Sequence, residues 1–209
     1  MIDFLFLDKG LCYKCKENPI EKYYLCESCL KKLDYIDIEF DLEGNTAYSL
    51  YFYNEFMKDL IANYKFSRNT SLYKVFSSMF ISYIESKNLI KFDYILASPS
   101  SRETLRSRGF DHIGIIVEEI NKDLGINCLK DFKKIKNTKS QHTLDRISRM
   151  DNLKDAFYLE KEIYGKKVLL VDDLITTGNT CLEIIKELKR KGARKVVCLS
   201  LATERSVKE

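Results

Sequence analysis

Val168-Leu169-Leu170-Val171-Asp172-Asp173-Leu174-Ile175-Thr176-Thr177-Gly178-Asn179-Thr180 is the most informative run in this chain. Four apolar residues in succession suit a central parallel strand buried on both faces. Two carboxylates follow at its C-terminal end, where open α/β sheets bind ligands. Thr-Thr-Gly-Asn-Thr then leads into a helix start. Small hydroxyl residues and a glycine let backbone N–H groups converge there, and a helix N-terminus favours an anion. The run thus offers acceptors for sugar hydroxyls beside a cradle for a phosphate, the two features a ribose 5-phosphate needs. A strand end with solvated aspartates and capping threonines is the plainer reading, but the conjunction at this spacing favours the ligand site. Neither G-x-x-x-x-G-K-[ST] nor G-x-G-x-x-G occurs, which argues against a P-loop or dinucleotide site.

The flanking sequence supplies the rest of an α/β sheet. A helix carrying Leu182, Ile185 and Leu188 and ended by Gly192 is expected after the run, followed by a strand over Val196–Leu201. Upstream, Asp93–Ala97 reads as a buried strand, and Ile113, Ile116, Val117, Ile120 and Leu124 form one helix face. Strand, helix and strand with short connections imply right-handed crossovers and a parallel sheet. Before that, Leu72, Val75, Phe76, Met79, Phe80, Tyr83 and Ile84 make one apolar stripe. Asn54 is placed to cap a helix bearing Phe56, Leu60, Ile61 and Tyr64, and Ala47–Tyr53 suits a strand. The acidic stretch Asp34–Asn45 is expected to be a turn-like connector.

A second anion loop is expected at Ser98-Pro99-Ser100-Ser101-Arg102, after the strand at 93–97, with arginine available for bidentate phosphate contacts. Residues 130–154 hold eight Lys or Arg against three Asp and read as a basic loop. His112 and His142 read as surface or packing residues rather than catalysts. The aromatic residues of 48–56 and 64–83 have the spacing of core packing or of a hood over the site.

VLLVDDLITTGNT resembles the phosphoribosyl pyrophosphate (PRPP) motif of type I phosphoribosyltransferases. That resemblance implies that Asp172 and Asp173 meet the ribose hydroxyls while Thr176, Thr177, Gly178, Asn179 and Thr180 hold the 5-phosphate. It further implies that Ser98, Ser100, Ser101 and Arg102 form the pyrophosphate loop and that Mg²⁺ accompanies PRPP. Ala97-Ser98-Pro99 followed by Leu105-Arg106-Ser107-Arg108-Gly109-Phe110-Asp111 resembles the ComF family of competence proteins, with one proline lost and Asp111 in place of Asn. The basic segment resembles the catalytic loop of that family and of amidophosphoribosyltransferase through Thr138, Gln141, Leu144, Arg146, Arg149, Asn152, Leu153, Ala156 and Phe157. Arg146 and Arg149 would then act as catalytic cations, since closure of a basic lid can stabilise a departing pyrophosphate and exclude water.

Cys12-x-x-Cys15 and Cys26-x-x-Cys29, ten residues apart, have the spacing of two knuckles closing a tetrahedral Cys₄ zinc site. Disulfides are the alternative, disfavoured in a reduced compartment. With no open coordination position such a zinc is structural. The ComF family carries a zinc ribbon of this kind, so the resemblance extends over nearly the whole chain. Cys128, Cys181 and Cys198 lie in apolar contexts and read as core thiols.

The expected fold is therefore a type I phosphoribosyltransferase-like α/β sheet flanked by helices, with a small N-terminal Cys₄ zinc ribbon. The expected division is 1–35 for the ribbon, 36–90 for a connector and helical hood, and 91–209 for the transferase-like domain. Hydrophobic residues make up 45% of the chain and charged residues 32%, which excludes a disordered chain. No apolar run approaches the roughly 20 residues of a membrane span. The N-terminus has no basic lead-in or cleavage site, so a cytoplasmic protein is expected. The family resemblance leaves two functions open. One is phosphoribosyl transfer to an acceptor that no feature encodes; the other is a non-catalytic single-stranded DNA adaptor in natural transformation. Partners in the second case are single-stranded DNA, a competence helicase and DNA-processing proteins. A phosphoacceptor receiver fits poorly, because its acidic pair would end the first strand of the domain.

Overall fold

The computed structural model describes residues 10–66, 69–135 and 155–204. A short helix, α1 (Glu27–Leu30), closes the cysteine segment. Strands β1 (Tyr35–Leu42) and β2 (Asn45–Phe52) follow, then helices α2 (Glu55–Phe66) and α3 (Tyr73–Ser86). Next come β3 (Tyr94–Ala97), α4 (Arg102–Arg108), α5 (His112–Leu124) and the two-residue β4 (Asn127–Cys128). Strands β5 (Phe132–Lys134) and β6 (Phe157–Leu159) form a separate antiparallel ribbon. β7 (Lys167–Ile175), α6 (Asn179–Arg190) and β8 (Lys195–Thr203) complete the order.

The main sheet runs β1-β2-β8-β7-β3-β4. Only β1 and β2 are antiparallel; the other neighbours are parallel. The apolar run sits where its composition requires, since Val168, Leu169, Leu170 and Val171 are all fully buried. Alternation along the strands sorts the core into two. Leu169, Val171, Val197 and Leu199 face a cluster built with α2, α3 and α5, which also takes in Cys12, Leu25, Cys26 and Cys29. Val168, Leu170, Val196 and Cys198 face α6 and the ribbon.

Local signals account for the helices. The Asn54 side chain accepts from Met57 N–H at 2.9 Å and starts α2. Asp111 accepts from Gly114 N–H at 3.1 Å and starts α5, which stops at Gly125 in the left-handed region. The apolar stripe of α3 is buried from Val75 to Ile84.

Three stretches differ from expectation. The stretch expected as a turn-like connector contains strand β1. Its residues alternate Ile36, Ile38, Phe40 and Leu42 with Tyr35, Asp37, Glu39 and Asp41, a period of two that its acidity masks. The exposed Glu39 and Asp41 suit an edge strand, where charge discourages pairing with another chain, whereas Asp37, at a bulge, turns in to Tyr83 and Lys87. Strand β7 continues through the aspartates, pairing Asp172 with Ser200 and Ile175 with Thr203, so the carboxylates lie within the strand rather than after it. The basic segment begins as strand β5, whose Lys134 pairs with Phe157 of β6. Residues 136–154, with Arg146 and Arg149, lie outside the described residues.

Candidate functional site

After β7 the chain crosses through α6 to β8 on one side; after β3 it passes through α5 to β4 on the other. The C-terminal ends of β7 and β3 therefore flank the point where strand order reverses, the usual crevice for ligands in open α/β sheets. Ala97 pairs with Val171, and Ser98 N–H donates to the Val171 carbonyl at 2.9 Å. The loop leaving β3 thus begins beside Asp172. The structure brings together the acidic pair, the loop at 176–180 and the loop at 98–102.

Within the first loop Ser98 is buried, Ser100 and Ser101 are half-buried, and Arg102 is exposed. The Ser101 hydroxyl accepts from Thr104 N–H at 3.1 Å and caps α4. In the second loop Gly178 precedes α6 with φ +86°. The backbone angle calls for glycine, and a Cβ there would also lie 2.6 Å from Leu42 Cδ2, so the Leu42 side chain would have to shift. Gly178→Ala is expected to destabilise the protein by about 2 kcal/mol, measured by urea unfolding. Thr176 and Thr180 are half-buried and Thr177 is exposed. Asn179 N–H lies 3.5 Å from the Thr177 hydroxyl.

The two aspartates have different surroundings. Asp172 is half-buried, and its Oδ1 accepts from Asp173 N–H at 2.9 Å. Burial, and then the neighbouring Asp173 carboxylate, push its pKa up to about 8. Asp173 is half-buried as well, with a side chain 14% exposed. It pairs through Oδ2 with Lys65 of α2, and its Oδ1 stands 3.8 Å from His112 Nε2. Burial opposes ionisation, but Lys65 and then His112 hold the Asp173 carboxyl well below the ordinary range.

Behind His112 the Arg108 guanidinium reaches Nδ1 at 2.5 Å. A guanidinium only donates, so Nδ1 accepts and the neutral ring carries its proton on Nε2, toward Asp173. Burial lowers the His112 pKa, against the opposing pull of Asp173. Tyr64 O–H donates to the His112 carbonyl at 2.7 Å. On the ribbon, Lys134 is half-buried; burial lowers its pKa, and Asp172 is the charge that opposes this. Sequence reasoning missed Lys65; it placed Arg108 in the motif after the 98–102 loop and Lys134 in the basic segment, without the partners they have here. It read His112 as a packing or surface residue, and the ring is indeed packed inside.

The ribbon is fastened to the sheet's other helix. Glu187 of α6, 8% exposed, accepts from Leu159 N–H at 2.8 Å. It also takes both Arg190 Nε and Nη2, at 2.6 and 2.8 Å. One carboxylate thus joins the helix that starts at Gly178 to the ribbon whose strands bracket residues 136–154.

The cysteine cluster is a separate centre. The Sγ atoms of Cys12, Cys15, Cys26 and Cys29 all lie within 4.8 Å of one another, and no described cysteine is in a disulfide. Cys15 and Cys26 are 3.7 Å apart; a tetrahedral ion with sulfur ligands at about 2.3 Å needs roughly 3.8 Å between sulfurs. Burial opposes ionisation of Cys26, but bonds from Ser28 and the Cys29 backbone bring its thiol down to about 6. Burial and the adjacent Cys26 and Cys12 push the Cys29 thiol up. Crowded, partly ionised thiols are the donor set a divalent cation relieves. The module rests on the hood: Tyr23 O–H lies 3.2 Å from the Ser82 hydroxyl, and Lys14 pairs with Asp59. Cys181 and Cys198 are buried, as expected of core thiols, whereas Cys128 is half-buried.

No helix among the described residues is long and apolar enough to cross a membrane. Residues 104–209 match the family described as the phosphoribosyl transferase domain, a span that starts just after the 98–102 loop. DNA utilization protein YhgH of Escherichia coli strain K12 is 28% identical over 196 residues, covering 90% of this chain and 82% of that protein. Competence protein ComFC of Streptococcus pneumoniae is 31% identical over 158 residues, covering 76% and 68%. Among solved structures, adenine phosphoribosyltransferase of Saccharomyces cerevisiae aligns with a TM-score of 0.45 at 16% identity, over 85% of this chain and 87% of that one.

Proposed function

The chain belongs to the ComF family of phosphoribosyl transferase-domain proteins, and from that premise we propose that it binds a ribose 5-phosphate group, as in PRPP carried with Mg²⁺, in the service of DNA uptake or use. The observation that supports this reading is the convergence of Asp172 and the Gly178 turn at the switch point of the sheet. In the proposal the α6 N-terminus and the backbone around Thr177–Thr180 receive the 5-phosphate, and Asp172 accepts from a ribose hydroxyl. The loop at 98–102, with Arg102, receives the pyrophosphate. Mg²⁺ carried with the substrate would supply charge neutralisation at its phosphates, beside the carboxylate of Asp172. Arg146 and Arg149 are proposed as the cations that meet the departing pyrophosphate, and Lys134 of β5 is a further cation on the Asp172 side. Zinc is the metal proposed for the four cysteines.

Calorimetry with Mg²⁺ and PRPP tests the reading. Saturable binding is expected, weakened more than about tenfold by Asp172→Asn. Absence of binding to both PRPP and ribose 5-phosphate would sink it.

A second reading, a single-stranded DNA adaptor without turnover, draws on the relatives named for competence and DNA utilization. Exposed Lys186, Lys189, Arg190, Arg194 and Lys195 give it a basic surface. Two of those charges are already paired within α6, Lys186 with Glu183 and Arg190 with Glu187. Affinity for an oligonucleotide that persists near 150 mM salt would favour this reading; loss by about that concentration marks only a non-specific basic surface.

A further inference from the structure

The end of the sheet opposite the 172–180 site is built from two turns laced together. Helix α6 stops at Gly192, φ +88°, where Ala193 N–H donates to the Leu188 carbonyl and Gly192 N–H to that of Lys189, a Schellman stop. Before β7 a second turn closes from Lys166 N–H to the Ile163 carbonyl, with Gly165 at φ +72°. Bonds of 2.8 to 3.0 Å join the turns: Ile163, Gly165 and Arg194 N–H donate to the carbonyls of Lys191, Gly192 and Lys166. Tyr164 is seated on this frame. A Cβ at Gly192 would run into its ring, yet the residue is 75% exposed. The ring is held in place and left in water, so a planar ligand laid on it has little ordering left to do. Tyr158 of β6 is a second exposed ring, with Lys191 Nζ 5.4 Å from its centroid.

Positive charge surrounds the rings. Residues 161–167 and 189–195 hold eight Lys or Arg against Glu162 alone. Carboxylates take three of them: Asp93 pairs with Lys166, Glu162 with Lys191 and Glu187 with Arg190. Lys161, Lys189, Arg194 and Lys195 are exposed and stand in no carboxylate pair among the described residues. We propose that this end is a binding face for single-stranded nucleic acid, with Tyr164 stacking on a base and Arg194 and Lys195 meeting the phosphates. The proposal rests on the DNA-adaptor reading for its partner and goes beyond it by assigning the face.

The chemistry selects an unpaired strand. A ring standing in solvent stacks on a base only where that base is free of its own neighbours, and cations beside it track the backbone. A lipid surface would meet the same cations, but these rings stand on turns and a strand, not on the apolar face of an interfacial helix. The face is remote from the sugar site: Lys167 opens β7, and Asp172 follows about 17 Å along the extended chain. A strand held here therefore leaves the 172–180 loop open, and both ligands fit the protein at once.

Anisotropy of a labelled deoxyoligonucleotide of about 12 nucleotides, in about 150 mM salt, reads the affinity. Tyr164→Ala should weaken binding at least about fivefold, and Tyr164→Phe should retain it. A strand with abasic sugars in place of its bases should bind the native protein and Tyr164→Ala alike, since the ring then has nothing to stack on. Arg194→Ala with Lys195→Ala should make the slope of log affinity against log salt shallower by about 1.4. Tm and ribose 5-phosphate affinity should stay native in these variants, whose altered side chains are exposed. Saturating ribose 5-phosphate should leave strand affinity unchanged. Intact-strand affinity that Tyr164→Ala does not lower overturns this face while the adaptor reading stands; duplex bound as tightly as the single strand overturns it too. No binding by the native protein at this salt ends both. Sedimentation with phosphatidylserine vesicles that Tyr164→Ala abolishes, with strand affinity unchanged, assigns the face to a lipid surface instead.

Discussion

Removing metal from the four-cysteine centre is expected to lower the Tm by about 10 °C or more, with one zinc per chain released to the chelator. The magnitude follows from where the thiols sit. Cys12, Cys26 and Cys29 are at most 4% exposed and share one cluster with Met57, Phe76 and Phe80 of the hood. Without a cation, the thiolate character at Cys26 faces the elevated Cys29 thiol across a few ångströms of apolar interior. Relief comes only by opening the segment, which uncovers Tyr13 and Leu25 as well. Cys26→Ser should reproduce the effect, since serine offers no thiolate. Metal content by atomic absorption and thermal scans with and without chelator are the measurements. A chelated protein that releases no zinc and keeps its Tm would refute the assignment.

The second large effect is on pH. Ribose 5-phosphate affinity is expected to rise about tenfold between pH 7 and pH 9. If a ribose hydroxyl donates to Asp172, only the ionised carboxylate binds, and that carboxyl titrates at about 8. Ionisation is mostly incomplete at the lower pH and nearly complete at the upper one. The phosphate itself contributes little in that window, having lost its second proton near pH 6. Asp172→Asn should abolish the slope along with most of the affinity.

Stability should show the opposite trend at the same residue. A carboxyl whose folded pKa is raised stabilises the fold at pH values below its unfolded value near 4, and loses that contribution as pH climbs through about 8. Asp173 runs the other way. Its depressed pKa gives stability present above the unfolded value and lost as pH falls below it. Calorimetry across pH 2 to 9 on the native protein and Asp172→Asn separates the two.

What the sequence declared were features written locally. Val168–Val171 announced a buried strand because four apolar residues in a row have few other uses. The paired C-x-x-C knuckles announced a metal centre because their ligands are neighbours in the chain. Gly178 was legible as a turn residue, although the close approach of the Leu42 side chain was not. β1 was hidden by composition: its Asp and Glu residues drew attention from the alternation beneath them. The site's interior partners were hidden by distance. Lys65 reads as an ordinary helix-end cation, and nothing near it points to an aspartate far downstream. His112 was read as a surface or packing residue, and its facing carboxylate exists only once α5 lies against β7. Lys134 looked like one more charge in a basic run until β5 paired with β6 and left it half-buried.

Strand order has a consequence for how the chain is made. β8 lies between β2 and β7, yet it leaves the ribosome after every other strand. Until it emerges, β2 and β7 each have an open edge, and the halves of the sheet share no ladder. Nascent chains would therefore hold the completed cysteine module and hood beside an unclosed sheet, with Val168–Val171 lacking a neighbour on one side. Such an intermediate is a natural client for chaperones. Closing the sheet is a long-range event that sets a slow pace for the last stage of folding.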